Sequence, residues 1–158
     1  MHIRIREAEE KDIPQIVNLG KELFKMHAKF DKEYYSLVNN FYEFFSLWVK
    51  NYLSQKSQFI IVAEKNQGLV IGFIAGFIKS LYPWFQIKNV GHISFMIIDK
   101  LFRKKGVGKL LEKQAELWFK QRGINYIELY VEEDNKIGQE AWSTYGFLPF
   151  KKFLRKKI

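Results

Sequence analysis

The stretch from Arg103 to Lys109 combines positive charge with two glycines, between an apolar run and an amphipathic one. Gly106 and Gly108 let the backbone turn tightly and approach a ligand closely. The helix that follows presents free N–H groups and the positive end of its dipole. These features predict an anion-binding loop suited to phosphate or pyrophosphate. Its members are Arg103, Lys104, Lys105, Gly106, Val107, Gly108 and Lys109.

Two better-known phosphate motifs fit this loop less well. A dinucleotide-binding fingerprint requires a third glycine where this chain has Leu111. A P-loop requires Gly-Lys-Ser/Thr after a four-residue gap, and the sequence contains no such triplet. Taken alone, the loop therefore predicts an anion site without identifying the anion.

The elements that position the loop follow from hydrophobic periodicity and turn signals. Alternating or continuous apolar runs predict strands at 3–6, 59–63, 69–78, 92–98, 124–131 and 147–154. Apolar residues at helical spacing predict helices at 13–27, 34–53, 107–122 and 136–145. The order β-α-α-β-β-β-α-β-α-β, with an early hairpin and a late β-α-β crossover, predicts an α/β fold. We expect a central mixed sheet with helices on both faces.

The strand at 92–98 leads into the glycine loop, so the direction of its side chains matters. Simple alternation assigns them to two faces of the sheet. One face carries His92, Ser94, Met96 and Ile98, and the other carries Ile93, Phe95 and Ile97.

Composition limits the class of protein. A chain of 158 residues with 47% hydrophobic and 27% charged residues predicts one globular domain over 1–158 and excludes disorder as the main state. No apolar run approaches the roughly 18 residues of a membrane span, and the first residues resemble no signal peptide, so we expect a cytoplasmic protein. The chain has no cysteine, and its three histidines lack ligand spacing, so we expect no metal.

The charge of the chain points to an anionic partner. The net charge is +9, the aromatic fraction is 17%, and five basic residues stand among the last eight. A nucleic-acid-binding module would explain both features. The sequence contains no RNA-binding aromatic signature and no helix-turn-helix pattern, so we expect no specific nucleic acid and no membrane partner.

The pattern Arg103-x-x-Gly106-x-Gly108, between an apolar strand and an amphipathic helix, resembles the acyl-CoA signature of the GNAT N-acetyltransferase superfamily. The predicted element order resembles the fold of that superfamily. The stretch 135–147, which ends in Tyr145-Gly146-Phe147, resembles its downstream block. The resemblance implies a single domain that moves an acetyl group from acetyl-CoA to a primary amine. The amine could belong to a small molecule, a polyamine, or a protein lysine or N-terminus.

The resemblance also implies how the cofactor is held. The loop would bind the pyrophosphate of acetyl-CoA, mainly through backbone N–H groups. Met96, Ile97 and Ile98 end the strand that pairs with the pantetheine arm in this family, and one of their backbone amides would polarise the acetyl carbonyl. Asn135 matches a family asparagine that contacts the cofactor near its thiol end, and a helix N-cap role is compatible with that contact.

Three residues are candidates for proton transfer on the same resemblance. His92 matches a strand position where histone acetyltransferases of the superfamily carry a glutamate base. Tyr130 stands at the position of a catalytic glutamate in the ribosomal-protein N-terminal acetyltransferases. The replacement of that glutamate by tyrosine argues against their substrate class. Glu128 lies on the same face of the strand as Tyr130 and could substitute in part. The general-acid tyrosine of the family is replaced by Trp142, so Tyr145 is the nearby substitute. A structural role is open for each.

Two further hypotheses remain at this stage. Because Trp142 and Tyr130 depart from the family pattern, the chain could bind acyl-CoA without transferring the acyl group. The nucleic-acid-binding module remains the alternative outside the family, and a homodimer is left open.

Overall fold

The computed structural model describes residues 2–66 and 68–158 and contains one five-stranded sheet. The elements are β1 (Ile3–Glu7), α1 (Ile13–His27), α2 (Phe41–Ser54), β2 (Gln58–Lys65), β3 (Leu69–Ser80), β4 (Asn89–Ile98), α3 (Val107–Lys120), β5 (Ile127–Leu129) and α4 (Lys136–Thr144). The strands lie in the order β1-β2-β3-β4-β5. All neighbours are antiparallel except β4 and β5, which are parallel. The predicted mixed sheet is therefore confirmed.

Helices cover both faces of the sheet, as predicted. α1 and α2 pack on one face, where Val17 and Val49 meet Phe73 of β3. α3 packs on the other face, where Leu111 and Phe119 meet the remaining core residues. We call these the α1/α2 face and the α3 face. Both clusters consist of buried aliphatic and aromatic side chains, so the sheet has an apolar core on each face.

A one-residue bulge interrupts the pairing of β3 with β4. Ala75 pairs with Phe95 and Gly76 with Ile93, so Ser94 is the extra residue. A bulge of this kind bends its strand and changes which side of the sheet the following residues face.

The bulge makes the predicted alternation along β4 wrong. His92 and Ser94 face α1/α2, where the Ser94 hydroxyl lies 3.3 Å from the Tyr52 hydroxyl of α2. Met96 and Ile98 pack on the α3 face instead of sharing the face of His92. The two predicted sets are therefore each divided between the faces.

The predicted strand at 147–154 is also wrong, because these residues form no strand. Pro149 lacks a backbone N–H, which removes a donor from any ladder there. The available sheet edge, β5, is only three residues long. The apolar side chains of the segment are 78–85% exposed at Leu148, Phe150, Phe153 and Leu154.

Two other elements are shorter than predicted. α2 begins at Phe41 rather than near residue 34, after turns that include Asn39 and Asn40. Asparagine side chains compete for backbone hydrogen bonds and favour helix starts over helix interiors. The predicted strand at 124–131 is reduced to the three residues of β5. The segment 28–40 is thereby left as a connection over the α1/α2 face.

A buried ion cluster joins β1 to β2 and to the start of α1. The Arg6 guanidinium lies 2.6 Å from Asp12 Oδ2, and its Nε donates to Glu64 Oε2 at 2.6 Å. The Asp12 carboxylate also accepts the backbone N–H of Glu9 at 2.8 Å. These hydrogen bonds raise the pKa of Arg6. Although burial opposes it, the Arg6 contact lowers the pKa of Asp12.

Candidate active site

The loop before α3 has a left-handed backbone and open space at its centre. Lys104 and Gly106 have left-handed backbones, with φ of 58° and 80°. Gly106 is the N-cap of α3 and provides no side-chain cap, which leaves the first N–H groups of the helix without a side-chain acceptor. A Cβ built on Gly106 would meet no atom within 4 Å. The arrangement fits the predicted pyrophosphate site.

Two of the basic side chains hold the loop in place. Arg103 Nε donates to the carbonyl of Ile98 at 2.9 Å, which ties the loop to the end of β4. Lys105 Nζ donates to the carbonyl of Leu101 at 2.8 Å. Because these two side chains serve the loop itself, the backbone N–H groups and the other two lysines, Lys104 and Lys109, are left to hold an anion.

A notch separates β4 from β5 close to this loop. The two strands pair at only three positions, the last of which joins Ile93 to Leu129. β4 continues to Ile98, and within the described residues no strand pairs with its outer edge beyond Ile93. Met96, Ile97 and Ile98 lie on this stretch. Their backbone groups can therefore serve an extended ligand, as the resemblance implied.

Tyr145 extends from α4 towards the loop. A Cβ on Gly108 would lie 2.5 Å from the Tyr145 hydroxyl oxygen and 3.8 Å from the Met96 methyl carbon. The hydroxyl therefore sits at the first turn of α3, on the α3 face. Burial, and to a smaller extent the charge of Glu112, raises the pKa of Tyr145. The group keeps its proton at neutral pH and is available as a donor.

The other two predicted residues of this region have structural contacts. The Asn135 side chain accepts the backbone N–H of Gly138 at 2.9 Å and so caps α4, as one of its two predicted roles required. The Trp142 ring packs between Tyr145 and Phe147, with ring centroids 5.7 Å and 5.3 Å away. Trp142 therefore belongs to the packing of α4 against α3.

His92 lies on the opposite side of the sheet from Tyr145. Its ring is 8% exposed and lies 5.0 Å from Phe77 and 5.1 Å from Tyr130, centroid to centroid. Among the described residues, Nδ1 of His92 is a buried atom without a hydrogen-bond partner. Burial first, and then the charge of Lys79, lowers the pKa of His92, while Glu128 opposes the change. The imidazole is neutral at pH 7 and can accept a proton.

Glu128, the neighbour of Tyr130, is already paired. Lys79 Nζ lies 2.6 Å from its carboxylate, and this hydrogen bond raises the pKa of Lys79. No sequence motif indicates a role for Lys79, which is only a charged residue at the end of an otherwise apolar strand. The parallel register of β4 and β5 brings Glu128 beside His92.

The segment 28–40 closes the α1/α2 face next to this group. The Tyr35 hydroxyl donates to the Glu132 carboxylate, and burial together with this bond raises the pKa of Tyr35 to about 12. His27 packs against Tyr35, and its Nδ1 lies 2.9 Å from the carbonyl of Leu23. His27 is therefore a packed histidine with a satisfied nitrogen, in contrast to His92.

The structure thus divides the three catalytic candidates between the faces. His92 and Tyr130 lie together on the α1/α2 face, and Tyr145 lies beside the loop on the α3 face. Across residues 2–66 and 68–158 there is no group of three His, Asp or Glu side chains that could hold a metal ion. In the same part of the chain, each helix is too short or too polar to cross a membrane.

Known proteins resemble this chain in sequence. The family model described as "Acetyltransferase (GNAT) family" matches residues 21–147. An uncharacterized N-acetyltransferase of Methanocaldococcus jannaschii is 28% identical over 147 residues, which cover 90% of this chain and only 59% of that protein. A spermidine N(1)-acetyltransferase of Thermoplasma acidophilum is 23% identical over 151 residues, which cover 93% of this chain and 89% of that protein.

Solved structures resemble it in fold. A predicted acetyltransferase from Clostridium acetobutylicum, crystallised with acetyl-CoA, superposes with a TM-score of 0.80 at 21% identity. The match covers 99% of this chain and 96% of the other. It confirms the predicted fold class.

Proposed function

This chain belongs to the acetyltransferase (GNAT) family, as its sequence pattern predicted, and from that premise we propose how its own residues divide the work of amine acetylation. The acetyl-CoA-dependent N-acetyltransferase class follows from the family. The observation that carries the assignment of residues is the open backbone loop at Gly106 beside the unpaired edge of β4. An anion site next to an extended backbone edge suits a ligand with a pyrophosphate and a long polar arm.

Acetyl-CoA supplies the acetyl group as an activated thioester. The N–H groups at the start of α3 would hold its pyrophosphate, helped by the charge of the loop lysines. A backbone amide among Met96, Ile97 and Ile98 would stabilise negative charge on the carbonyl oxygen. These roles require no particular side chain at 96–98, because the backbone does the work.

His92 is the proposed base. A primary ammonium has a pKa near 10.4, so the attacking nitrogen must lose a proton to the protein or to solvent. The neutral imidazole has a free Nδ1 and faces the α1/α2 side, where Tyr130 covers it. Tyr145 is the proposed acid, since its protonated hydroxyl lies on the cofactor side. A base and an acid on opposite faces suit a reaction in which one group arrives as another departs.

We propose an aliphatic polyamine as the acceptor. The Thermoplasma relative is named a spermidine N(1)-acetyltransferase, and carboxylates and aromatic rings surround the α1/α2 side of His92. Aromatic faces attract cations, and carboxylates attract them more strongly at low salt. A cytoplasmic location remains a prediction from the sequence, and a homodimer is left open.

Calorimetric titration with acetyl-CoA, followed by an assay of amines with spermidine first, tests this function. We expect saturable binding to the native protein and none to Gly106→Arg, because a side chain at this position, where φ is 80°, both enters the anion site and strains the loop. Unchanged affinity in Gly106→Arg would refute the loop assignment. Binding without transfer to any amine would identify a non-catalytic acyl-CoA-binding protein. Salt-sensitive binding of a short DNA duplex in place of acetyl-CoA would favour the nucleic-acid hypothesis.

A further inference from the structure

Residues 148–158, which we call the strap, run back across the α1/α2 face. Arg155 Nη2 lies 2.8 Å from Asp31 Oδ2. Lys157 Nζ donates to both carboxylate oxygens of Glu33, at 2.9 Å and 3.0 Å. Two basic residues of the strap are thereby held by two acids of the segment that connects α1 to α2.

Between the body of the protein and these anchors, the strap reaches the surface beside the proposed base. The Phe153 ring lies 5.9 Å from the Tyr130 ring, and Tyr130 lies 5.1 Å from His92, centroid to centroid. His92 itself is 8% exposed, whereas Tyr130 is 68% exposed. Tyr130 therefore packs against the imidazole, and Phe153 contacts Tyr130 without covering it, so the strap affects access to His92 through the position of Tyr130.

The strap is attached by weak contacts. Phe153 is 78% exposed and Leu154 is 85% exposed, so little apolar surface holds the strap down. Its anchors are ion pairs at the surface, and pairs of that kind contribute little and weaken with salt. The Arg155 guanidinium also lies 4.8 Å from the ring centre of Tyr34, which adds a modest cation–π contact. Such attachment suits a segment that opens and closes.

We propose that the strap is an autoinhibitory lid that limits access of the amine acceptor to His92. The inference rests on the proposed function, because it assigns the α1/α2 side to the acceptor. In the closed state, Arg155 and Lys157 hold Phe153 against Tyr130 and thereby keep the Tyr130 ring on the imidazole. Loss of either ion pair opens the lid and raises kcat/KM for the acceptor, while the affinity for acetyl-CoA, bound at the loop before α3, stays the same.

Neutral variants of the anchors test the lid. We expect Arg155→Gln, Lys157→Gln and Asp31→Asn each to raise kcat/KM for spermidine about two- to fivefold, the range of equilibrium shift that a surface ion pair supplies. Lys152→Gln is the matched control, since it removes one positive charge from the same segment and Lys152 has no ion pair among the described residues. It should leave kcat/KM unchanged.

The signs of these effects separate the lid from simpler explanations. Arg155→Gln and Asp31→Asn change the net charge in opposite directions, so an effect of the local field would move kcat/KM in opposite directions. If Asp31 binds the acceptor directly, Asp31→Asn lowers kcat/KM, and the lid is overturned. The exchanged pair Glu33→Lys with Lys157→Glu should restore the native value, because the ion pair forms again with its partners reversed.

A distance measurement tests the lid without any turnover. The chain contains no cysteine, so Val38→Cys and Leu154→Cys, both at exposed positions, accept one spin label each. We expect a narrow distance distribution in the native background and a broad one when Arg155→Gln is added. A broad distribution in the native background would overturn the lid. A distance distribution that is narrow in the native background and broad with Arg155→Gln would support the anchored strap. If such a protein acetylated no amine, the proposed function would be refuted and the closed state of the strap would stand.

Discussion

His92 and His27 lie on the same side of the sheet and differ in how their nitrogens are satisfied. His27 Nδ1 has the carbonyl of Leu23 at 2.9 Å, whereas His92 Nδ1 is buried without a partner among the described residues. An unpartnered buried nitrogen costs about 1–3 kcal/mol. A structural role for His92, in which a backbone carbonyl would accept a hydrogen bond from the ring as at His27, is not observed at Nδ1 within the part of the chain that the structure describes. The two histidines also provide a test and its control, because the same substitution can be made at each.

Replacement of His92 by glutamine should lower kcat about a hundredfold, because general bases contribute at least that much. Because the pKa of His92 is lowered from the ordinary value of 6.5, kcat of the native protein should be constant at and above pH 6.5. It should decrease only at lower pH, where the imidazole becomes protonated. The variant should lack this acidic limb. Steady-state kinetics across pH provide the measurement, with His27→Gln as the control. An acidic limb that persists in His92→Gln would remove His92 as the base.

Replacement of Tyr145 by phenylalanine should lower kcat about tenfold or more and leave the Kd of acetyl-CoA unchanged, because the hydroxyl is the proposed proton donor. Tyr126→Phe, at an exposed position, is the control and should retain the native kcat. Rapid-quench kinetics and calorimetry separate the two quantities. A weaker Kd with an unchanged kcat would mean that the hydroxyl binds the cofactor and transfers no proton.

At the scale of elements, the sequence predicted what depends on local chemistry. α1 and α3 carry regular apolar stripes and were predicted to within two residues of their ends. The glycine loop was found because its charge and its glycines are adjacent in the chain. By contrast, the failed strand at 147–154 is rich in apolar residues but has no adequate edge to pair with, which is a property of the sheet.

The candidate site needed information that periodicity does not contain. The bulge at Ser94 has no sequence signal, because serine is acceptable in a regular strand. The contact between His92 and Tyr130 depends on the parallel register of β4 and β5, which two separate strands do not encode locally. The same register brings the Lys79–Glu128 pair beside His92. The sequence identified Tyr145 as a candidate acid, but it did not indicate on which face of the sheet the Tyr145 side chain lies.

The ion cluster of Arg6 should control how firmly β1 is held. Arg6→Met would leave the carboxylates of Asp12 and Glu64 buried without their cation, so we expect a loss of about 3–5 kcal/mol in the free energy of unfolding. Arg4→Met, on the same strand but exposed, should change it little. Urea unfolding measures both. A loss from Arg6→Met no larger than that from Arg4→Met would show that the cluster does not stabilise β1.

At the scale of the whole molecule, two buried groups give the stability curve two separate pH windows. The pKa of His92 is lowered, so the unfolded chain takes up a proton near pH 6.5 that the folded chain takes up only at lower pH. The pKa of Asp12 is lowered as well, from an ordinary value of 3.8. The stabilisation of the folded chain by Asp12 is present above pH 3.8 and is lost as the pH falls through the lower pKa of the folded state.

His92 and Asp12 should therefore each lower the free energy of unfolding as the pH falls, in separate windows, while buried Glu112, whose pKa is raised by burial, acts in the opposite direction. The first step begins near pH 6.5 and belongs to His92, so it should disappear in His92→Gln. The second begins near pH 3.8 and should remain in that variant. Chemical denaturation at a series of pH values measures both steps. A first step of full size in His92→Gln would assign it to another group.

The extra residue in β4 shifts the alternation of side chains between the two faces of the sheet. Up to His92, even-numbered residues face α1 and α2, whereas from Phe95 onward the odd-numbered residues do. Deletion of Ser94 would remove the bulge and leave a strand of regular alternation, in which His92 stays on the α1/α2 face and Met96 and Ile98 stay on the α3 face. The extra serine therefore explains why alternation along the sequence fails to give the faces of β4. What its deletion would change is the local bend of the strand between the proposed base and the backbone at 96–98.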